Sequence, residues 1–154
     1  TLKRLSGFCD LLLVEADGAR RLPLKVPAVH EPVIPEFADI VVGVTGLDCI
    51  GKKICDIAHR PEDVAEFLRK KTDEPVMWED VVKIASSENG LRKNVGEKSF
   101  LVYFNKADVL ESSGVAENII KKCREAGIEA VCGSLKKIME RQEICGKFHG
   151  IRRK

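Results

Sequence analysis

Asn105-Lys106-Ala107-Asp108 closes an apolar run, residues 99–104. It has the N-K-x-D form by which GTP-binding proteins read guanine. The residue types suit that chemistry. Guanine offers N1–H and N2–H₂ as adjacent donors, and one carboxylate, Asp108, can accept from both; adenine has no such pair. Each charge-assisted hydrogen bond contributes roughly 1.5–3 kcal/mol, and a base lacking the donors leaves the carboxylate unpaired. Asn105 would reach the O6/N7 edge of the base or tie loops together. The stem of Lys106 would lie along the base plane.

A second element stands upstream. The run Asp10-Leu11-Leu12-Leu13-Val14 leads into Glu15-Ala16-Asp17-Gly18. Apolar residues ending in acid form a Walker B pattern, a buried parallel strand that delivers a carboxylate to magnesium. Glu15 is the first candidate for holding Mg²⁺ through water, with Asp17 as the alternative acid. The Gly18 N–H can approach a γ-phosphate because no Cβ stands in the way. Glu15 and Asp17 are therefore the expected catalytic acids, and Gly18 joins Asn105, Lys106 and Asp108 as nucleotide-binding. The two motifs stand in the order a nucleotide-binding fold requires.

A phosphate loop is missing ahead of residue 10. One near match, Gly46 to Lys53, fails on chemistry. Lys53 stands where a metal-binding hydroxyl is needed, Asp48 would put a carboxylate in a phosphate cradle, and Pro61 shortens any following helix. The chain is therefore expected to be the C-terminal part of a longer nucleotide-binding domain, preceded by two βα units of about sixty residues.

Residues 14–35, Val14 to Pro35, resemble the selenium-dependent hydroxylase accessory protein family (YqeC). The likeness continues through 42–48, His59-Arg60-Pro61-Glu62, 89–93 and 105–108. It covers roughly residues 7–134. It implies a P-loop NTPase-like protein, using GTP or another NTP with Mg²⁺. Such a protein would serve maturation of a molybdenum hydroxylase, with that hydroxylase or its cofactor-maturation proteins as partner. Family members carry an N-terminal Walker A segment that these residues lack, so this stretch alone is expected to be inactive and to hold no cofactor. Ala19 stands where relatives tend to have Ser.

The segment from Arg20 to Pro35 follows the acid motif, where GTPases carry a segment that senses the γ-phosphate. It holds Arg20, Arg21, Lys25, His30 and Glu31, with prolines at 23, 27, 32 and 35 restricting its backbone. It reads as a semi-rigid switch or partner arm, its basic end for phosphate or an acidic partner and its His30-Glu31 end for a client; the alternative is a rigid surface connection.

Alternation of elements sets the expected architecture. Strands read at 10–16, 38–45, 99–105 and 128–132. Helices read after Pro61, over 78–87, from Ser112 or Ser113 to Gly127, and over 135–144. This is α/β: a three-layer parallel sheet with helices on both faces, one domain over 1–154, with 146–154 a flexible basic tail. Ligands of such sheets bind beyond the carboxyl ends of the strands. Ser134, after the last strand, would there offer a backbone N–H to the base or simply form a tight turn. Trp78 and the phenylalanines are expected in the core.

Composition narrows the classes. Lys and Arg number 26 against 24 acids, a net charge of +2, which argues against a dedicated nucleic-acid binder. No apolar run approaches a membrane span, and the chain reads as cytoplasmic. Six cysteines lie at 9, 49, 55, 123, 132 and 145 without C-x-x-C spacing, and the histidines at 30, 59 and 149 lack ligand spacing. Free, mostly buried thiols are expected. The competing classes are a non-catalytic interaction domain and a Cys/His metal-binding carrier.

Overall fold

The computed structural model describes residues 2–137. The basic tail at 146–154, Cys145 and all but the first turn of the 135–144 helix lie outside the described residues. Strands are β1 (Leu24–Lys25), β2 (Ile40–Gly46), β3 (Ala58–His59), β4 (Ser99–Asn105) and β5 (Glu129–Cys132); helices are α1 (Leu2–Leu5), α2 (Ile54–Ile57), α3 (Pro61–Leu68), α4 (Trp78–Ser86) and α5 (Ser113–Glu125). The protein is α/β with parallel sheets. One sheet has the order β2-β4-β5, and a second pairs β1 with β3.

Local chemistry explains the helices. Pro61 opens α3 at its first position, where the missing N–H costs nothing. The Ser112 hydroxyl caps α5 by accepting the Gly114 N–H at 3.2 Å. Gly127, at φ +72°, ends the helix, and Ile128 N–H returns to the Cys123 carbonyl at 2.8 Å.

Both crossovers, β2 to β4 and β4 to β5, step across the sheet in one direction. Right-handed connections then place their helices on the same face, and α4 packs against α5 there. Val81, Ile84, Ala85, Ile119 and Cys123 bury against Val102 and Phe104 of β4. Gly43 belongs to this side, where an added Cβ would lie 3.2 Å from Leu91.

The expected three layers are corrected by the opposite face. It carries Ile40, Val42 and Val44, with Val42 50% and Val44 57% exposed. Among the described residues helices cover one face only.

The expected strand at 10–16 does not form. The segment has no ladder partner, and Leu11 and Leu13 are 74% and 84% exposed. Its apolar pattern suits a buried strand, but a strand exists only through paired backbone groups. The outer edge of β2 takes no such partner. Ser99 N–H donates to the Asp39 carbonyl on the β4 side, whereas Gly46 N–H turns outward to the Pro23 carbonyl at 3.0 Å. By alternation, Ile40, Val42 and Val44 direct their backbone groups outward too. They meet no partner among the described residues.

Candidate functional site

The carboxyl ends of β2, β4 and β5 bring the Asn105 motif together with the loop after β5. The side-chain oxygen of Asn105 accepts the Lys106 N–H at 2.8 Å and the Leu135 N–H at 3.1 Å. Of its two expected roles, loop tying is the one the geometry displays. Gly133 N–H donates to the Phe104 carbonyl at 2.9 Å, and Ala107 N–H to the Gly133 carbonyl at 3.0 Å. A Cβ on Gly133 would lie 2.6 Å from the Tyr103 hydroxyl, so glycine is needed for this close approach.

Asp108 stands exposed in the turn that follows. The Ser134 hydroxyl, from a buried residue, is the main cause holding the Asp108 carboxyl below its ordinary value, against some desolvation. Lys106 adopts a left-handed backbone at φ 62° and donates to Asp48 Oδ2 at 2.7 Å. Asp48 Oδ1 is buried without a hydrogen-bond partner among the described residues.

The segment from Gly46 to Lys53 makes no phosphate cradle. Its Gly51 N–H is taken by the Val76 carbonyl at 2.8 Å, and its Lys52 carbonyl accepts the Val76 N–H at 2.9 Å.

The acid motif occupies a loop. Glu15 and Gly18 are exposed. A Cβ on Gly18 would meet Glu15 Oε1 at 3.7 Å, so the Glu15 carboxylate lies over that glycine. Asp17 is already engaged by the Lys25 ammonium, which also donates to the Gly18 carbonyl at 2.8 Å. Lys25 belongs to β1, is only 7% exposed, and pairs with Glu31 Oε2 at 2.8 Å.

Glu31 is the hub of the segment from Arg20 to Pro35. Its carboxylate accepts two bonds from Arg60 at 2.8 and 2.7 Å and the Ala28 N–H at 3.0 Å. Arg60 above all, with Lys25 and the Ala28 N–H assisting, holds its carboxyl far below the usual range, while burial opposes. Lys93 donates to the Ala28 carbonyl at 2.5 Å, Asn94 to the Pro32 carbonyl at 3.0 Å, and Val33 N–H to the Ala16 carbonyl at 3.0 Å.

The expectation of one functional arm is therefore divided. Lys25 and Glu31 are interior struts because each meets opposite charge under the strap. Arg20, Arg21 and His30 are exposed, with His30 Nε2 3.9 Å from Glu31.

Pro23 joins this strap to the sheet. Its carbonyl accepts from Gly46 N–H and from Thr45 Oγ1 at 2.8 Å. The acid loop thus approaches the carboxyl end of β2 through Pro23 rather than through a strand of its own.

Arg60, Lys93, Asn94 and Asp48 make contacts that sequence reasoning did not assign. The signal available was the resemblance at 59–62 and 89–93, which converges on the strap. His59, beside Lys25 in the β1–β3 register, has its pKa lowered by burial first and then by Arg60, Lys25 and Arg20.

Cys49 and Cys123 are buried, Cys132 is half-buried, and Cys9 and Cys55 are exposed; all five are free. Burial pushes the Cys49 thiol up to about 12 and those of Cys123 and Cys132 to about 11. Among the described residues no three His, Cys, Asp or Glu side chains are placed to hold a metal ion, and no helix is long and apolar enough to cross a membrane.

Residues 1–62 match the family model described as YqeC protein. The uncharacterized protein YqeC of Escherichia coli strain K12 is 30% identical over 142 residues, which cover 91% of this chain and 55% of that protein. The chain spans about half the length of this curated relative. No solved structure matches. The two matches support the YqeC family.

Proposed function

We propose that the chain is the base-reading part of a cytoplasmic, P-loop-like NTP-binding accessory protein that prefers GTP and serves maturation of a molybdenum hydroxylase. The observation that carries the nucleotide reading is the Asn105–Asp108–Ser134 arrangement. Asn105 braces two loops, and between them Asp108 presents an exposed, ionised carboxylate. Such a group at the carboxyl end of a parallel sheet suits the paired donors of guanine.

The acid loop divides the metal-side roles. Asp17 is engaged by Lys25, so Glu15 is the acid available to Mg²⁺. One exposed carboxylate with water completing the shell suits that ion, which would screen phosphate charge when bound. Gly18, beside Glu15, leaves its backbone approachable.

The free outer edge of β2 and the apolar face behind it fit a further parallel strand with its helix. A phosphate-binding strand there would lie between β2 and residues 10–16, giving that segment the ladder partner it lacks. The maturation role rests on the family likeness, and nothing in the site's geometry specifies the client.

The test is calorimetry with GTP and ATP on this chain and on a version extended towards the full length of the relatives. The extended protein should bind GTP in preference to ATP, and this chain should bind it more weakly. Equal affinities in the extended protein would refute Asp108 as a base reader.

A second reading, a non-catalytic interaction domain, is favoured by one feature. The strap is pinned by Arg60, Lys93 and Asn94 yet exposes Val29, His30 and Val33. A natural protein without a phosphate loop would support it.

A further inference from the structure

Two consecutive arginines sit in a turn that neither residue favours. Leu22 N–H closes on the Ala19 carbonyl at 2.9 Å, and the central residues Arg20 and Arg21 have φ of 49° and 64°. A tight turn with left-handed backbone at both central positions is the kind that Asn-Gly or Gly-Gly fills without strain. Side chains with a Cβ are strained there, and such strain clusters at functional positions.

The local charge gives the two side chains something to do. Among the described residues neither arginine makes a salt bridge, and two carboxylates of this segment are committed to other cations. Asp17 is held by Lys25, and Glu31 by Lys25 and Arg60. Burial first, and then the charges of Arg60, Lys25 and Arg20, lower the His59 pKa. Arg60 uses two of its donors on Glu31 and has others left. The turn begins one residue after Gly18.

We propose that the Arg20–Arg21 turn is an oxyanion clamp that takes a phosphate group, with Arg60 beside it. Guanidinium forks match the geometry of phosphate oxygens and hold them bidentately. The turn fixes the backbone that carries both side chains before the ligand arrives, which reduces the entropy lost on binding. The inference deepens the nucleotide reading by naming the groups that meet its terminal phosphates, and it concerns a different part of the site from the base.

Inorganic pyrophosphate is the probe, titrated into the 154-residue chain by calorimetry and followed in thermal melts at matched ionic strength. Wild type should bind saturably and melt higher with ligand. Arg20→Asn/Arg21→Gly should melt no lower than wild type without ligand, because the strain is relieved. It should also bind at least about tenfold more weakly, the loss expected from removing one charge-assisted contact. Arg21→Gln alone should weaken binding in the same direction, which keeps the test intact if the double variant misfolds. The clamp is overturned if wild type shows no saturable binding, or if Arg20→Asn/Arg21→Gly binds as tightly as wild type. Guanosine, titrated separately into the extended protein, reports the base site alone. Its failure would sink the guanine reading and leave the clamp standing, and pyrophosphate failure would do the reverse.

Discussion

Replacing Glu31 by Gln removes the charge at the centre of the strap and little else. The carboxylate takes two bonds from Arg60, one from Lys25 and one from the Ala28 N–H. Glutamine keeps one acceptor oxygen and turns an amide donor towards two cations. Bonds to charged groups contribute about 1.5–3 kcal/mol each. Two effects reduce the loss. Lys25 retains Asp17 and the Gly18 carbonyl, and Arg60, 30% exposed, regains water. The net cost should be about 2–4 kcal/mol, at or just below the range for breaking a buried pair.

Urea unfolding of the 154-residue chain at neutral pH measures that cost. A double-mutant cycle with Arg60→Gln should give a coupling energy above about 1 kcal/mol. The pH dependence has a definite sign. Folding depresses the Glu31 pKa below its ordinary value of 4.5. The stability contributed by the ionised form is therefore fully present above about 4.5 and is lost as pH falls towards the depressed folded value. The gap between wild type and Glu31→Gln should be flat near neutrality and narrow below about pH 4.5. A cost below about 1 kcal/mol, or a gap unchanged down to about pH 3, would refute Glu31 as the hub.

Other outcomes follow from particular contacts. Gly90→Ala should destabilise by about 3 kcal/mol or more, because the new Cβ would lie 2.0 Å from the Ile84 carbonyl oxygen; thermal and urea unfolding check this. Val102→Ala, at a fully buried position, should cost about 2 kcal/mol, whereas Val42→Ala on the open face should cost less than half as much; similar values would contradict a sheet covered on one side. Asp108→Asn in an extended, GTP-binding protein should shift preference towards xanthosine nucleotides, read by competition, since the amide can donate to the O2 of that base. Alkylation of native protein mapped by mass spectrometry should label Cys9 and Cys55 well before Cys49, Cys123 and Cys132.

The helices were legible because their ends carry local chemistry. Pro61, Ser112 and Gly127 each do at one position what a helix terminus requires, independent of the rest of the fold. The strands β2, β4 and β5 were legible as apolar runs ending in loops with functional residues. The segment 10–16 carries the same signal yet forms no strand, because pairing depends on a neighbour that the run itself cannot supply. The one-sided sheet escaped for the same reason: Val42 and Val44 are as apolar as residues that are covered. The two-residue strands β1 and β3 are too short to leave a pattern. Glu31 was noticed as a functional group, but Arg60 and Lys93, which pin its loop, come from 29 and 65 residues away from their partners. Charge alone does not show such pairings in a chain where 32% of residues are charged.

The short stretch from Gly46 to Asp48 decides whether the acid loop and the Asn105 loop can belong to one site. Gly46 N–H and the Thr45 hydroxyl hold the Pro23 carbonyl, which fixes the start of the strap, with its two arginines, next to the acid loop. Two residues on, Asp48 holds Lys106 of the guanine motif. A Cβ at Gly46 would come within 2.9 Å of the Pro23 side chain and 2.5 Å of Asp48 Oδ1, so a larger residue would push both partners away. Gly46 therefore sits where the end of β2 touches one loop on each side. The residues that read as a failed phosphate loop thus bring the acid loop and the Asn105 loop to the same end of one strand.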